Sequence, residues 1–157
     1  LCDRRQRQMC IRDRYMNRII EYLIIGRKLN KTYNRYLGEV SEIYGLNRME
    51  INVLLFLYNN PGYDTASDIV ELRSFPKSNV SKAVDVLTGR NYLEGITDKE
   101  DRRIIHLRIC PPALDAVRAA RKCQEDFLQY ICRGVTKEEM KVVDHVISVI
   151  SQNLKEN

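Results

Sequence analysis

The residues best equipped for chemistry fall into two short clusters. Lys77, Ser78, Asn79, Ser81 and Lys82 lie within six positions of one another, and Asp101, Arg102 and Arg103 form a separate D-R-R tripeptide. The first cluster brings together ammonium, hydroxyl and amide groups, which can reach both phosphate oxygens and base edges. In the second, Asp101 and Arg103 are two residues apart, so on extended backbone they project to the same side and the carboxylate can hold the guanidinium in position. An arginine fixed in this way suits a narrow minor groove, where negative potential is concentrated, while Arg102 suits a flanking phosphate. Neither cluster supplies a nucleophile beside a base. The chain also lacks G-x-S-x-G, a phosphate-binding glycine loop, H-E-x-x-H and a dinucleotide fingerprint, so no enzyme, catalytic residue or cofactor is expected. His106, His145, Cys110, Cys123 and Cys132 do not have the close spacing of zinc ligands, and no metal site is expected.

Helices and one hairpin must position these groups. Ile19, Leu23, Leu29, Tyr33, Leu37 and Val40 give a long amphipathic helix over 15–44, stopped by Gly45. Asn47 with Glu50 three residues on caps a second helix with an apolar face of Met49, Val53, Leu54 and Leu57, which ends near Asn60, Pro61 and Gly62. Thr65 and Asp68 repeat the pattern for a short third helix to about Ser74, and Pro76 opens a fourth. That fourth helix packs Val80, Val84 and Leu87 while Ser78, Ser81, Lys82 and Asp85 face outward. Residues 92–97 read as a strand with Gly95 at a bulge, and Ile105, Leu107 and Ile109 alternate in a second strand. Pro111 and Pro112 lead into a fifth helix with Leu114, Val117, Ala120, Phe127 and Ile131. Thr136 and Glu139 cap a sixth, striped by Met140, Val143, Ile147, Ile150 and Leu154.

Charge adds less than it first suggests. The 157 residues carry a net +5 and a pI near 9.0, which favours phosphate partners. Residues 1–14, however, hold five arginines and two aspartates, which is +3 of that total and leaves +2 for residues 15–157. This leader fits a translated adapter or cloning scar, or else a disordered basic arm, and is set apart from the fold. The five cysteines are odd in number, no C-x-x-C pair or secretory signal is present, and a reduced, cytoplasmic protein is expected. The longest apolar stretch, residues 51–58, is too short to cross a bilayer.

Two helices joined by a tight turn and followed at once by a hairpin with a charged tip make a winged helix-turn-helix. The expected class is therefore mainly α with a small β-hairpin wing and six helices. The second helix of such a pair presents its polar face to the major groove. From residue 15 to 157 the chain resembles the MarR family, carried by LNRMEINVLLFLYNNPG, by KSNVSKAVDVLTGRNYLEG and by the wing DKEDRRIIHLRI, in which D-x-x-D-R-R follows K-S-x-V-S-K. Three positions depart from the family pattern: Ser74 and Asn91 stand where glycine is usual, and Gly95 where a basic residue is common.

The resemblance implies one domain over 15–157, with a winged DNA-binding lobe at 46–110 and long terminal helices, 15–45 and 111–157, forming a dimerisation region. It also implies a homodimer on a pseudo-palindromic operator in double-stranded DNA, acting as a repressor or activator. Family members commonly respond to a phenolic or lipophilic ligand, a metal or an oxidant, so a small-molecule effector is expected, its identity and binding residues open. Tyr15, Tyr22, Tyr33, Tyr36 and Tyr44 either border an aromatic pocket or pack the core and dimer. The competing class is a winged-helix module that binds another protein without nucleic acid, which the modest +2 allows.

Overall fold

The computed structural model describes the backbone of residues 4–155 and the side chains of residues 18 and 20–154. Cys2, Cys10, Tyr15, Ile19 and the side chains of the leader lie outside the described side chains. The chain divides into two units, residues 1–124 and 125–157.

In the first unit, helix α1 (Arg4–Tyr36) is followed after Leu37 by α2 (Gly38–Tyr44). The sequence reads as a single helix here, and the interruption is slight. Leu37 keeps right-handed helical angles, its N–H donates to the Tyr33 carbonyl at 3.1 Å, and its own carbonyl accepts from Ser41 N–H at 3.0 Å. Gly45, at φ 58, ends α2 in the left-handed region that glycine enters without steric cost.

Helix α3 (Arg48–Asn59) is the centre of the core. Asn47 and Glu50 form the expected capping box: the Asn47 side chain accepts from Met49 and Glu50 N–H, and Asn47 N–H donates to Glu50 Oε2 at 2.9 Å. The expected two-sided pattern is exceeded. Ile51, Val53, Leu54, Leu55 and Phe56 are all buried, and Glu50 with them, because neighbours cover α3 on most sides. Leu46, Ile69, Val80, Leu87, Leu93, Ala116 and Val117 are among the other residues of this core.

Helices α4 (Ala66–Arg73) and α5 (Lys77–Gly89) follow, then an antiparallel hairpin of β1 (Leu93–Thr97) and β2 (Ile105–Ile109). Its register runs unbroken from Leu93 opposite Ile109 to Thr97 opposite Ile105, so Gly95 is not a bulge. A Cβ at Gly95 would come to 3.0 Å from Ile105 Cγ2, so the glycine makes room for the Ile105 side chain. A short 3₁₀ turn, Pro111–Ala113, leads into α6 (Leu114–Ile131); Ala113 of the turn and Ala116, Val117 and Ala120 of α6 are buried. The order of helices, tight turn and hairpin is that of a winged helix-turn-helix.

The second unit holds the end of α6 and helix α7 (Lys137–Lys155). Thr136 caps α7: its hydroxyl accepts from Glu139 N–H at 3.2 Å while its N–H donates to Glu139 Oε2 at 2.8 Å. The stripe of α7 is exposed along the helix, with Val143 at 43%, Ile147 at 59% and Leu154 at 74%. Among the described residues no helix is long and apolar enough to cross a membrane.

Candidate nucleic-acid interface

Local chemistry sets both helices of the turn. Thr65 Oγ1 accepts from Asp68 N–H at 3.1 Å, and Thr65 N–H donates to Asp68 Oδ2 at 2.9 Å, so the first orphan donors of α4 are satisfied. Ser74 ends α4 at φ 52, where glycine would sit without strain. Pro76, at φ −58, is the residue before α5 rather than its first turn, and its carbonyl accepts from Asn79 and Val80 N–H.

On α5 the division of faces is sharp. Val80, Ala83 and Leu87 are buried, with Val84 half-buried, while Lys77, Ser78, Asn79, Ser81 and Lys82 are all exposed. The first turn of α5 contains no acidic residue, which leaves its positive dipole end and Lys77 on the same side. Lys77 and Ser81 also edge a cleft of about 310 Å³ between α4 and α5, with Val70 and Val80 lining it and Glu71 beside them.

At the hairpin tip Asp101 and Arg103 meet through two parallel bonds: Arg103 Nε donates to Asp101 Oδ1 at 3.0 Å and Nη2 to Oδ2 at 2.8 Å. The expected pair forms, but not on extended backbone. Ile104 N–H donates to the Asp101 carbonyl, closing a turn over Arg102 and Arg103, and Arg103 N–H also donates to Asp101 Oδ1. The paired guanidinium holds the Asp101 carboxyl below its usual range, and the carboxylate raises Arg103 in turn. Arg103 remains 90% exposed, so it is oriented without being sequestered. Asp98 fixes the base of the tip by accepting from Glu100 and Asp101 N–H at 2.7 and 2.8 Å, bonds that lower its pKa. Arg102 is exposed.

One element of the site was not foreseen. His106 on β2 stands between two carboxylates, with Nδ1 2.7 Å from Asp64 Oδ1 and Nε2 3.3 Å from Asp98 Oδ2. Asp64 immediately precedes the Thr65 cap, and the same segment pairs with β2 through a Thr65–His106 bridge and a Leu107 N–H bond to the Asp64 carbonyl at 2.7 Å. The wing is thereby tied to the start of α4. Both carboxylates raise the His106 pKa, Asp64 most. No local pattern announces this pairing, because Asp64 and His106 are 42 residues apart.

Of the tyrosines, Tyr33 and Tyr44 pack against the core and Tyr22 is exposed at 64%. Burial raises the Tyr33 pKa, and its hydroxyl accepts from Gln124 Nε2 at 2.9 Å. Cys110, Cys123 and Cys132 form no disulfide among the described residues, and each is half-buried.

Residues 44–104 match the sequence model of the MarR family. No match was found among curated proteins. Solved structures similar to this chain include a MarR protein from Peptoclostridium difficile, with TM-score 0.71 and 20% identity, covering 89% of this chain and 88% of the other. Staphylococcus aureus MarR in complex with salicylate and kanamycin gives 0.71 and 14%, covering 92% and 97%. Bordetella bronchiseptica BpsR, whose DNA binding is regulated by 6-hydroxynicotinic acid, gives 0.65 and 18%, covering 83% and 98%.

Proposed function

We propose that this chain is a winged helix-turn-helix regulator of the MarR family, whose sequence model matches residues 44–104, and that it binds a pseudo-palindromic operator as a homodimer and responds to a small-molecule effector. The observation that carries the reading is the pairing of two surfaces. The buried side of α5 leaves Lys77, Ser78, Asn79, Ser81 and Lys82 free to face a major groove, and the wing tip presents Arg103 in a fixed orientation to the adjacent minor groove. Asp101 orients Arg103, and Arg102 takes a flanking phosphate.

Dimerisation is supported by apolar side chains that a single protomer leaves uncovered. In the first unit these include Ile20, Leu23 and Ile24 on α1, and in the second Val143, Ile147 and Ile150 on α7. Covering them favours association in proportion to the apolar area removed from water, about 25 cal/mol per Å². An effector acts only if it binds two dimer states with different affinity. Salicylate and 6-hydroxynicotinic acid, bound by or regulating the relatives above, suggest an aromatic acid as its class.

The test is selection of bound duplexes from a random pool, followed by affinity measurements across a salt series. An inverted repeat with half-sites about 34–36 Å apart, or a multiple, is expected, with binding that weakens steeply as salt rises. A strictly monomeric protein, or one that ignores duplex DNA at low ionic strength, would overturn the proposal.

A further inference from the structure

Arg90 directly follows the last residue of α5, and its side chain leaves that helix for another. Its Nη1 donates to the Gly45 carbonyl and its Nη2 to the Tyr44 carbonyl, both at 2.7 Å, and its guanidinium lies 4.9 Å over the Tyr92 ring. Tyr44 is the last residue of α2 and Gly45 its left-handed cap. The final carbonyls of a helix have no partner within it and carry its negative dipole end, so a planar cation with two divergent donors suits them better than any neutral group. At its own backbone Arg90 is equally fixed, since its N–H donates to the Val86 carbonyl at 3.0 Å. The turn it grips is held as well: Gly45 N–H donates to the Ser41 carbonyl, and Ser41 Oγ donates to the Leu46 carbonyl at 2.6 Å. Arg90 thus links two segments that are each hydrogen-bonded to their own backbone.

We propose that Arg90 is a positioning residue for operator binding: it sets the angle of α5 against the α1–α2 helix, and hence the spacing between the two recognition helices of the dimer, without touching DNA. The inference rests on the operator-binding reading above. Its geometry is independent of the proposed DNA contacts, because Arg90 is spent on Tyr44, Gly45 and Tyr92 and is not among the groups on the outer face of α5. A helix of 13 residues is about 20 Å long, so a shift of about 1 Å at its C-terminal end turns the reading face by a few degrees. In a dimer that error occurs twice and in opposite senses, and it is felt as a change in preferred half-site separation.

The experiment measures binding of the full chain to the selected operator, to versions with one base pair added or removed between half-sites, and to random duplex. Wild type should prefer one spacing. Arg90→Ala is expected to lose about tenfold on the preferred spacing, to bind the altered spacings nearly as well, and to keep both its random-duplex affinity and its salt slope. Arg90→Lys, which retains the charge but not the two-pronged geometry, should fall between them, and it serves as the measure if the alanine variant does not fold. An Arg90 that instead contacts phosphate would weaken all duplexes alike and lower the salt slope by about 1. That result, or an unchanged spacing preference, overturns the proposal. If wild type itself binds no duplex, it is the operator-binding reading that fails.

Discussion

The winged lobe and α7 use the same kind of apolar periodicity and reach opposite ends. In the lobe, α3 buries Ile51, Val53, Leu54, Leu55 and Phe56 to within 1% exposure. In α7, a stripe equally regular in sequence leaves Val143, Ile147, Ile150 and Leu154 between 43% and 74% exposed. The first unit thus closes a core within one chain, to which Leu37 and Val40 before the lobe and Ala116 and Val117 of α6 also contribute. The α7 stripe leaves its apolar side chains exposed, and the proposed dimer gives it the role of an interface.

The contrast is broken most forcefully at Phe56. Phe56→Ala should cost about 3–5 kcal/mol of stability, independent of protein concentration, because it empties a closed core; a denaturant titration showing under 1 kcal/mol would mean that this core is not closed. Ile147→Asp should leave the lobe folded yet shift sedimentation from dimer to monomer and remove the concentration dependence of thermal melting. A dimer that persists unchanged in that variant would move the interface elsewhere.

The lobe's two proposed contacts should differ in kind. Arg103→Ala is expected to weaken operator binding about tenfold, most on A·T-rich flanks, whereas Lys82→Ala should weaken all duplexes and reduce the salt slope by about 1. Binding isotherms with varied flanks separate the two, and an Arg103→Ala protein with full affinity would remove the wing from the interface.

A smaller effect concerns the tie between wing and α4. The His106 pKa is raised above its ordinary 6.5, first by Asp64 and then by Asp98. The charged form is therefore favoured by folding: its stabilisation is complete below the unfolded value and is lost as pH rises through the folded one. An NMR titration of the ring should give a midpoint above 6.5, with thermal stability declining across it. His106→Gln should flatten that decline, and an equal slope in the variant would show that another group is responsible. Least of all, Asn91→Gly should stabilise the lobe by up to about 1 kcal/mol, since Asn91 sits at φ 56 in the left-handed region. Chemical denaturation can resolve such a gain, and a loss would mean that the asparagine side chain makes a contact worth more than the backbone strain.

Much of this was legible from residue order. The capping pairs Asn47–Glu50, Thr65–Asp68 and Thr136–Glu139 all form, as does the Asp101–Arg103 pair, and α5 exposes the five expected polar side chains. The family's usual glycines also proved informative by their absence, for Ser74 and Asn91 both hold positive φ. Less legible were the break at Leu37, the near-complete burial of α3 and the unbroken register at Gly95. Each of these depends on a neighbour brought in by the fold rather than on residues three or four positions away.

The sequence alone determined the capping boxes that open α3, α4 and α7 and which carboxylate holds the wing arginine, because those interactions close over two or three residues and need no distant partner. Only the tertiary structure decided that His106 braces the wing against Asp64 and that Arg90 grips the end of α2, since those partners are brought together by the path of the chain. It also decided which apolar stripes are covered within one protomer, because burial belongs to the packing of several elements and not to any one of them.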